Sequence, residues 1–199
     1  MKYPVKSISP PPTVFILLFF ALFSLCSCSK KTPYYFKVTS MKLYNTDNSG
    51  VPPVDAAGPD VAAAVYAIRL HYTDLLTGSK GTERYESGYA NSNPVTSLSV
   101  YSLSNYDATH AAGSSLNNYF LHSIGSTGVR SIDSIQLKIA LGQVATSYRT
   151  SDNDSTTWHS NDYLVLMQPP TIMGPRSFVV NMGFADNSHL ADTISVTLH

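Results

Sequence analysis

From Tyr34 onward the chain alternates apolar and polar residues with a period of two, the mark of half-buried strands. Between Val65 and Thr73, Tyr66, Ile68, Leu70 and Tyr72 share one face, and Arg69, His71 and Thr73 share the other. Tyr34 to Leu43 reads as a strand rich in aromatic and β-branched residues, and its alternation slips near Ser40, which predicts a bulge. Val95 to Leu103 turns Leu98 and Val100 inward, with Ser99 and Tyr101 opposite. Ile135, Leu137, Ile139 and Leu141 alternate with polar or small residues and predict a further strand. Tyr163 to Met167 is unbroken and apolar, as in a strand buried on both faces, and Pro169-Pro170 ends it. At the C-terminus Phe178, Val180, Met182 and Phe184, then a turn-rich Ala185–His189, then Ile194, Val196 and Leu198 predict an antiparallel hairpin.

The segments between these strands are polar and rich in turn residues. Asn45 to Asp60, Gly78 to Asn93, Ser104 to Gly128 and Thr146 to Asn161 read as connections. Within them, Glu83–Ser87 predicts a short edge strand, Ser115–Leu121 a short helix, and Val61–Val65 a helical turn or a lead into the next strand. Many short strands without βα alternation predict one antiparallel β-sandwich over residues 34–199. The arrangement is immunoglobulin-like or a related Greek key, of about seven strands, with an up-and-down barrel as the alternative.

The first residues follow a different pattern. Lys2 and Lys6 precede an apolar run from Val14 to Leu25, and the first acid is Asp47. That run is shorter than the about 20 residues a membrane-spanning helix needs, so it predicts a secretory signal peptide. Leu25-Cys26-Ser27-Cys28 resembles the lipobox of bacterial lipoproteins, in which an aliphatic and two small residues precede the lipidated cysteine. A register that lipidates Cys26 would place the bulky Leu25 at the cut. The resemblance therefore implies cleavage between Ser27 and Cys28, a tether over residues 28–33, and attachment to the membrane through Cys28. In layout the chain resembles the small β-rich outer-membrane lipoproteins of Bacteroidota, a resemblance that brings no activity with it. Ser29 implies the outer membrane, and Lys30-Lys31 lacks the acidic run linked with surface export, so the leaflet stays open.

Composition narrows the chemistry. The 13 basic and 13 acidic residues balance, and loss of Lys2 and Lys6 with the leader leaves a slightly acidic domain without a basic stripe, a poor match to nucleic acid. A hydrophobic content of 43% supports a packed core. Both cysteines lie at the cut site, so the domain must hold together without a disulfide and without a cysteine nucleophile or thiolate metal site.

No nucleophile elbow, zinc-protease motif or phosphate-binding glycine loop is present, and no catalytic, metal or cofactor site is predicted. Asp152-Asn-Asp154 resembles the start of a calcium loop, but no glycine follows at the sixth position and Tyr163 stands where the bidentate glutamate belongs. Among the six histidines, Asp107-Ala-Thr-His110 and Trp158-His159 are the nearest approaches to a cluster, and neither has ligand spacing to a second histidine. The excess is in tyrosine, with 13 residues, and Tyr85, Tyr89, Tyr106 and Trp158 fall in polar connections where they would suit a binding surface. Asp133-Ser134-Ile135, Asp154-Ser155-Thr156 and Asp192-Thr193-Ile194 resemble the O-glycosylation acceptor of Bacteroidota exported proteins, which implies Ser134, Ser155 and Thr193 as acceptors. Together these features suggest a lipid-anchored, non-catalytic binding or assembly module whose partner is a glycan or another envelope protein. The alternatives are an envelope or glycan hydrolase and a pilus-type subunit. Replacing Cys28 with alanine is expected to free the protein from membranes or leave it uncut; a C28A protein of cleaved size that still floats with membranes would refute the anchor.

Overall fold

Strands bury one face each, and two sheets stacked face to face satisfy all of them at once. A computed structural model describes residues 34–50, 53–77, 89–123, 129–132, 150–151 and 157–199, which all belong to the unit Pro33–His199. In chain order the strands are β1 (Tyr34–Asp47), β2 (Val54–Asp55), β3 (Asp60–Val61), β4 (Tyr66–Thr77), β5 (Tyr89–Asn91), β6 (Val95–Ser102), β7 (Phe120–Ser123), β8 (Val129–Ser131), β9 (Thr150–Ser151), β10 (Thr157–Leu166), β11 (Gly174–Phe184) and β12 (His189–Leu198). One sheet runs β2-β1-β4-β10-β7-β8, with β5 added to β1 and β9 to β10; the other runs β3-β12-β11-β6.

The principal strands of the first sheet, β1-β4-β10-β7, and of the second, β12-β11-β6, all pair antiparallel. Lettered A to G along the chain, they give the orders ABED and GFC, which is the seven-stranded immunoglobulin arrangement of constant type. The sandwich and six of these seven strands were thus legible in the sequence; β7 was not. The remaining strands are short additions at sheet edges or strand ends.

Immunoglobulin domains of antibodies join strands B and F by a disulfide. Here the corresponding strands are joined by aromatic rings. Tyr66 of β4 stacks on Phe178 of β11 with centroids 5.9 Å apart and planes inclined by 27°. Phe120 meets Phe178 edge-on at 5.6 Å, and Tyr106 lies 6.2 Å from it. All four residues are buried. The Tyr66 hydroxyl donates to Asn45 Oδ1 (2.9 Å), and Asn45 Nδ2 donates to the Ser195 carbonyl on β12 (2.9 Å), so the ring cluster is also tied to the sandwich edge.

The predicted bulge is present. Register slips between Val38 and Ser40, so Phe36 and Val38 are buried before it, and Met41 and Leu43 after it. A second irregularity, between Gly183 and Phe184, skips Thr96 and lets Val95 and Leu98 face the same core. The β11–β12 turn places Asn187 at φ 64°, a left-handed conformation that asparagine tolerates.

Four expectations need correction. Ser115–Leu121 is not a helix: Asn117–Tyr119 is a single 3-10 turn and Phe120 opens β7. Burial of Phe120 and His122 on one face outweighs the weak helical propensity of the segment. The connection expected at 146–161 gives up its end to β10, which begins at Thr157 because β4 extends far enough to pair Leu75 with it. Tyr163–Met167 is buried on one face only: Leu164 and Leu166 point inward, Tyr163 and Val165 are partly exposed, and Met167 lies beyond the strand. Asn45–Asp60 is not continuous loop, since β1 runs to Asp47 and β2 and the start of β3 fall inside the segment. The Val61–Val65 alternative resolves as a 3-10 turn at Ala63–Val65. The strand predicted at 135–141 and the edge strand at 83–87 lie outside the described residues.

Phe178→Ala removes the ring that three others pack against and leaves a cavity between the sheets. It is expected to cost about 3–5 kcal/mol, read from urea unfolding of the full-length protein in detergent micelles through Trp158 fluorescence. A loss below about 1 kcal/mol would contradict the central place given to this ring.

Candidate functional site

Strand direction divides the sandwich into two ends. The start of β1, the start of β10 and the β11–β12 turn share the end that holds Tyr34. The far end, about 40 Å away along β1, gathers three loops: 48–65 between β1 and β4, 103–119 between β6 and β7, and 167–173 between β10 and β11.

The loops of the far end are tied together by tyrosines. The Tyr106 hydroxyl donates to the Gln168 carbonyl, and the Met167 N–H donates to the Tyr119 carbonyl (2.8 Å). Tyr106 and Tyr119 meet edge-on at 5.2 Å. Tyr106, expected as an exposed binding residue, is 1% exposed. Burial pushes its phenol up, and the proton is spent on holding two loops together.

Beside Tyr119 sits the pair singled out in the sequence. Asp107 Oδ1 accepts the Thr109 and His110 N–H groups (2.7 and 2.8 Å), and its two oxygens lie 2.9 and 3.1 Å from His110 Nδ1. Tyr119 donates to Oδ2 at 2.8 Å. Burial alone would raise the Asp107 carboxyl, but hydrogen bonds from His110, Tyr119 and Thr109 outweigh it and hold the group well below the usual carboxylate range. The same contact with Asp107 raises the Tyr119 phenol. An ionised carboxylate only accepts, so Nδ1 carries the proton and Nε2 is the nitrogen left for other work. Among the described residues no hydroxyl is hydrogen-bonded to that Nε2. The Asp107 site is a tightly satisfied turn, one side of which is a histidine.

Two other titratable clusters are closed. His122 Nε2 lies 3.1 Å from Asp162 Oδ2 between the sheets, at 1% and 6% side-chain exposure, and Tyr72 hydrogen-bonds to the same carboxylate. Burial drives the Tyr72 phenol well up. On the outer face of the first sheet, Arg69 pairs with Asp55 (2.7 Å), bonds to Asn161 and lies 4.2 Å over the Tyr44 ring. Among the described residues no group of three or more His, Cys, Asp or Glu is placed to hold a metal ion.

What the far end does present is apolar. Leu103, Met167, Ile172 and Met173 are 57%, 53%, 74% and 46% exposed, and they come from the two loops that Tyr106 and Tyr119 tie together. Next to them is a cleft of about 380 Å³ formed by Pro59, Leu103, Pro175, Arg176, Ser177 and Thr197, among others. Sequence reasoning missed these residues. A signal was there: Ile172 and Met173 lie between Pro170 and Pro175, where no regular ladder can absorb them.

The other sequence-predicted residues are dispersed. Tyr89 lies on β5 and Trp158 on β10, both at the Tyr34 end and a strand length from Tyr106; of their side chains nothing further is described. Thr193 is exposed on β12, and its neighbour Asp192 accepts the Thr193 N–H (2.8 Å) and the Leu43 N–H (3.0 Å). Ser27, Cys28, Tyr85, Ser134 and Ser155 lie outside the described residues, as does the Asp152–Thr156 segment. No protein-family model, curated protein or solved structure matches this chain.

The depressed Asp107 acidity has a sign. A carboxyl lowered by folding stabilises the native state fully above its unfolded value, near 3.8, and that contribution disappears as pH falls through the depressed folded value. Wild type is expected to exceed Asp107→Asn in Tm at pH 7, and the two curves should converge as pH falls below about 4. Parallel curves down to pH 2 would contradict this.

Proposed function

We propose that this chain is a cell-envelope protein attached to the outer membrane by lipid on Cys28, and that its sandwich is a non-catalytic binding module whose far loop end engages another envelope component. The observation that carries the reading is the exposure of Leu103, Met167, Ile172 and Met173 on two mutually braced loops. Single exposed apolar residues are ordinary, but a cluster of large ones at one end marks a contact surface. The position adds support. With a tether over residues 28–33, β1 begins close to the bilayer, and the apolar loops are the part of the domain turned farthest from it.

Strand exchange of the pilus type draws less support. The described residues of this chain already supply all seven principal strands, including the intact C-terminal hairpin, so the sandwich does not call for a donor strand. The hydrolase alternative rests on Asp107 holding His110, an arrangement whose Nε2 meets no hydroxyl among the described residues.

The test is site-specific photo-crosslinking in intact cells. A crosslinker at position 172 is expected to give discrete adducts that vanish with Leu103→Ser and Met173→Ser, while a crosslinker at Ala191, exposed near the other end of β12, gives none. Equal labelling from both positions, or none from 172, would sink the reading.

A further inference from the structure

Among the described residues Arg176, at the far end, has no carboxylate partner. Its phase on β11 is that of the inward residues Phe178 and Val180, but it stands below the last layer of the core, beside the cleft. Nη1 donates to the Pro175 carbonyl (2.8 Å) and Nη2 to the Ile172 carbonyl. Nε is buried without a hydrogen-bond partner. Among the described residues no carboxylate pairs with Arg176, whereas Arg69 and Lys37 each have an aspartate. No carboxylate offsets the guanidinium, and because Nε is buried the donors left for a ligand are the second N–H of Nη1 and of Nη2. Two of its bonds are to its own loop, so its fork is held in place before any ligand arrives.

The surroundings select what that charge would meet. Leu103, Pro59 and Pro175 are walls of the same cleft, and the Arg176 bond to Ile172 links it to the exposed pair Ile172 and Met173. A fixed cation bordered by apolar surface fits an apolar ligand carrying one anionic group, and a planar carboxylate matches the guanidinium fork best. The cleft volume, about 380 Å³, falls in the range of ligand-sized sites. Ser177 Oγ is engaged with Ser195 Oγ at 2.8 Å, so the hydroxyls beside the cleft are partly committed to each other. A ligand defined by many hydroxyls, such as a neutral sugar, is matched less well.

We propose that the Arg176 cleft is a carboxylate-anchored docking site for an apolar peptide segment of a partner protein, with Arg176 taking the carboxylate and Leu103, Ile172 and Met173 taking the flanking side chains. The proposal rests on the reading of the far end as a contact surface and names the chemistry of its partner. The carboxylate comes from a chain end or from an aspartate or glutamate within the segment; both present the same group to the fork.

Fluorescence polarisation on the full-length protein in detergent micelles decides the matter. The probes are a labelled hexapeptide ending in Leu-Phe with a free carboxylate, the same peptide amidated, and an amidated peptide with an internal Asp between leucines. Binding is expected for the first or third probe, with the preferred one identifying the source of the carboxylate, and at least tenfold weaker for the amidated peptide without an acid. Arg176→Gln should abolish that preference, and Arg176→Lys should keep part of it, because charge survives while the fork does not. Raising the salt concentration should weaken the wild type but not R176Q. Equal binding of acid and amide, no peptide binding at all, or laurate binding in place of both acidic peptides would overturn the proposal. Such a failure is separate from that of the contact surface: adducts from position 172 that persist in R176Q cells would leave the surface standing and remove the anchor.

Discussion

The stack of Tyr66 on Phe178 is the contact on which the sandwich depends. A two-sheet domain with no cysteine in it must hold its layers without a covalent link, and burial of large rings is the strongest non-covalent means available. The rings stand on strands B and F, where antibody domains place their disulfide, and they draw in Phe120 from β7 and Tyr106 from the β6–β7 loop. The consequence reaches the far end. Tyr106 touches the ring cluster with one edge and holds the Gln168 carbonyl with its hydroxyl, so the loops that expose Met167 and Ile172 are fastened to the centre of the core. Those loops are therefore braced surfaces, and an apolar side chain on a braced loop stays presented to solvent.

The sheet edges show a second constraint. An open sandwich has edge strands that can pair with other chains. On β6 the Asn117 side chain imitates a peptide unit, accepting the Val100 N–H (2.9 Å) and donating to the Leu98 carbonyl (3.2 Å). On β1, Asp192 accepts the Leu43 N–H, Ala56 donates to the Asn45 carbonyl, and β5 and β2 cover the two extremities. Side chains and the backbone of Ala56 thus fill bonds that another strand would otherwise offer. Pairing along the β6 edge and part of the β1 edge is thereby discouraged.

Much of this was legible in the residues themselves. Period-two alternation identified β4, β6, β11 and β12 with their inward faces, and the slip at Ser40 located the bulge in β1. The tyrosine excess was visible too, but not its use: Tyr106 lies in a polar segment, and nothing local distinguishes a loop tyrosine facing solvent from one turned back into the core. Likewise Phe120 and His122 form too short a pattern to announce β7, which exists because β10 and the ring cluster accept it.

The sequence by itself determined which residues seek burial, where the chain must turn, and that the domain would stand without a disulfide, because period, proline and cysteine are local facts. Only the tertiary structure decided that the strands follow the ABED and GFC orders, that Tyr66 and Phe178 meet across the layers, and that Leu103, Ile172 and Arg176 arrive at one place. Leu103 is far along the chain from Ile172 and Arg176, as Tyr66 is from Phe178, and their meeting depends on the pairing of whole strands, which no local pattern encodes.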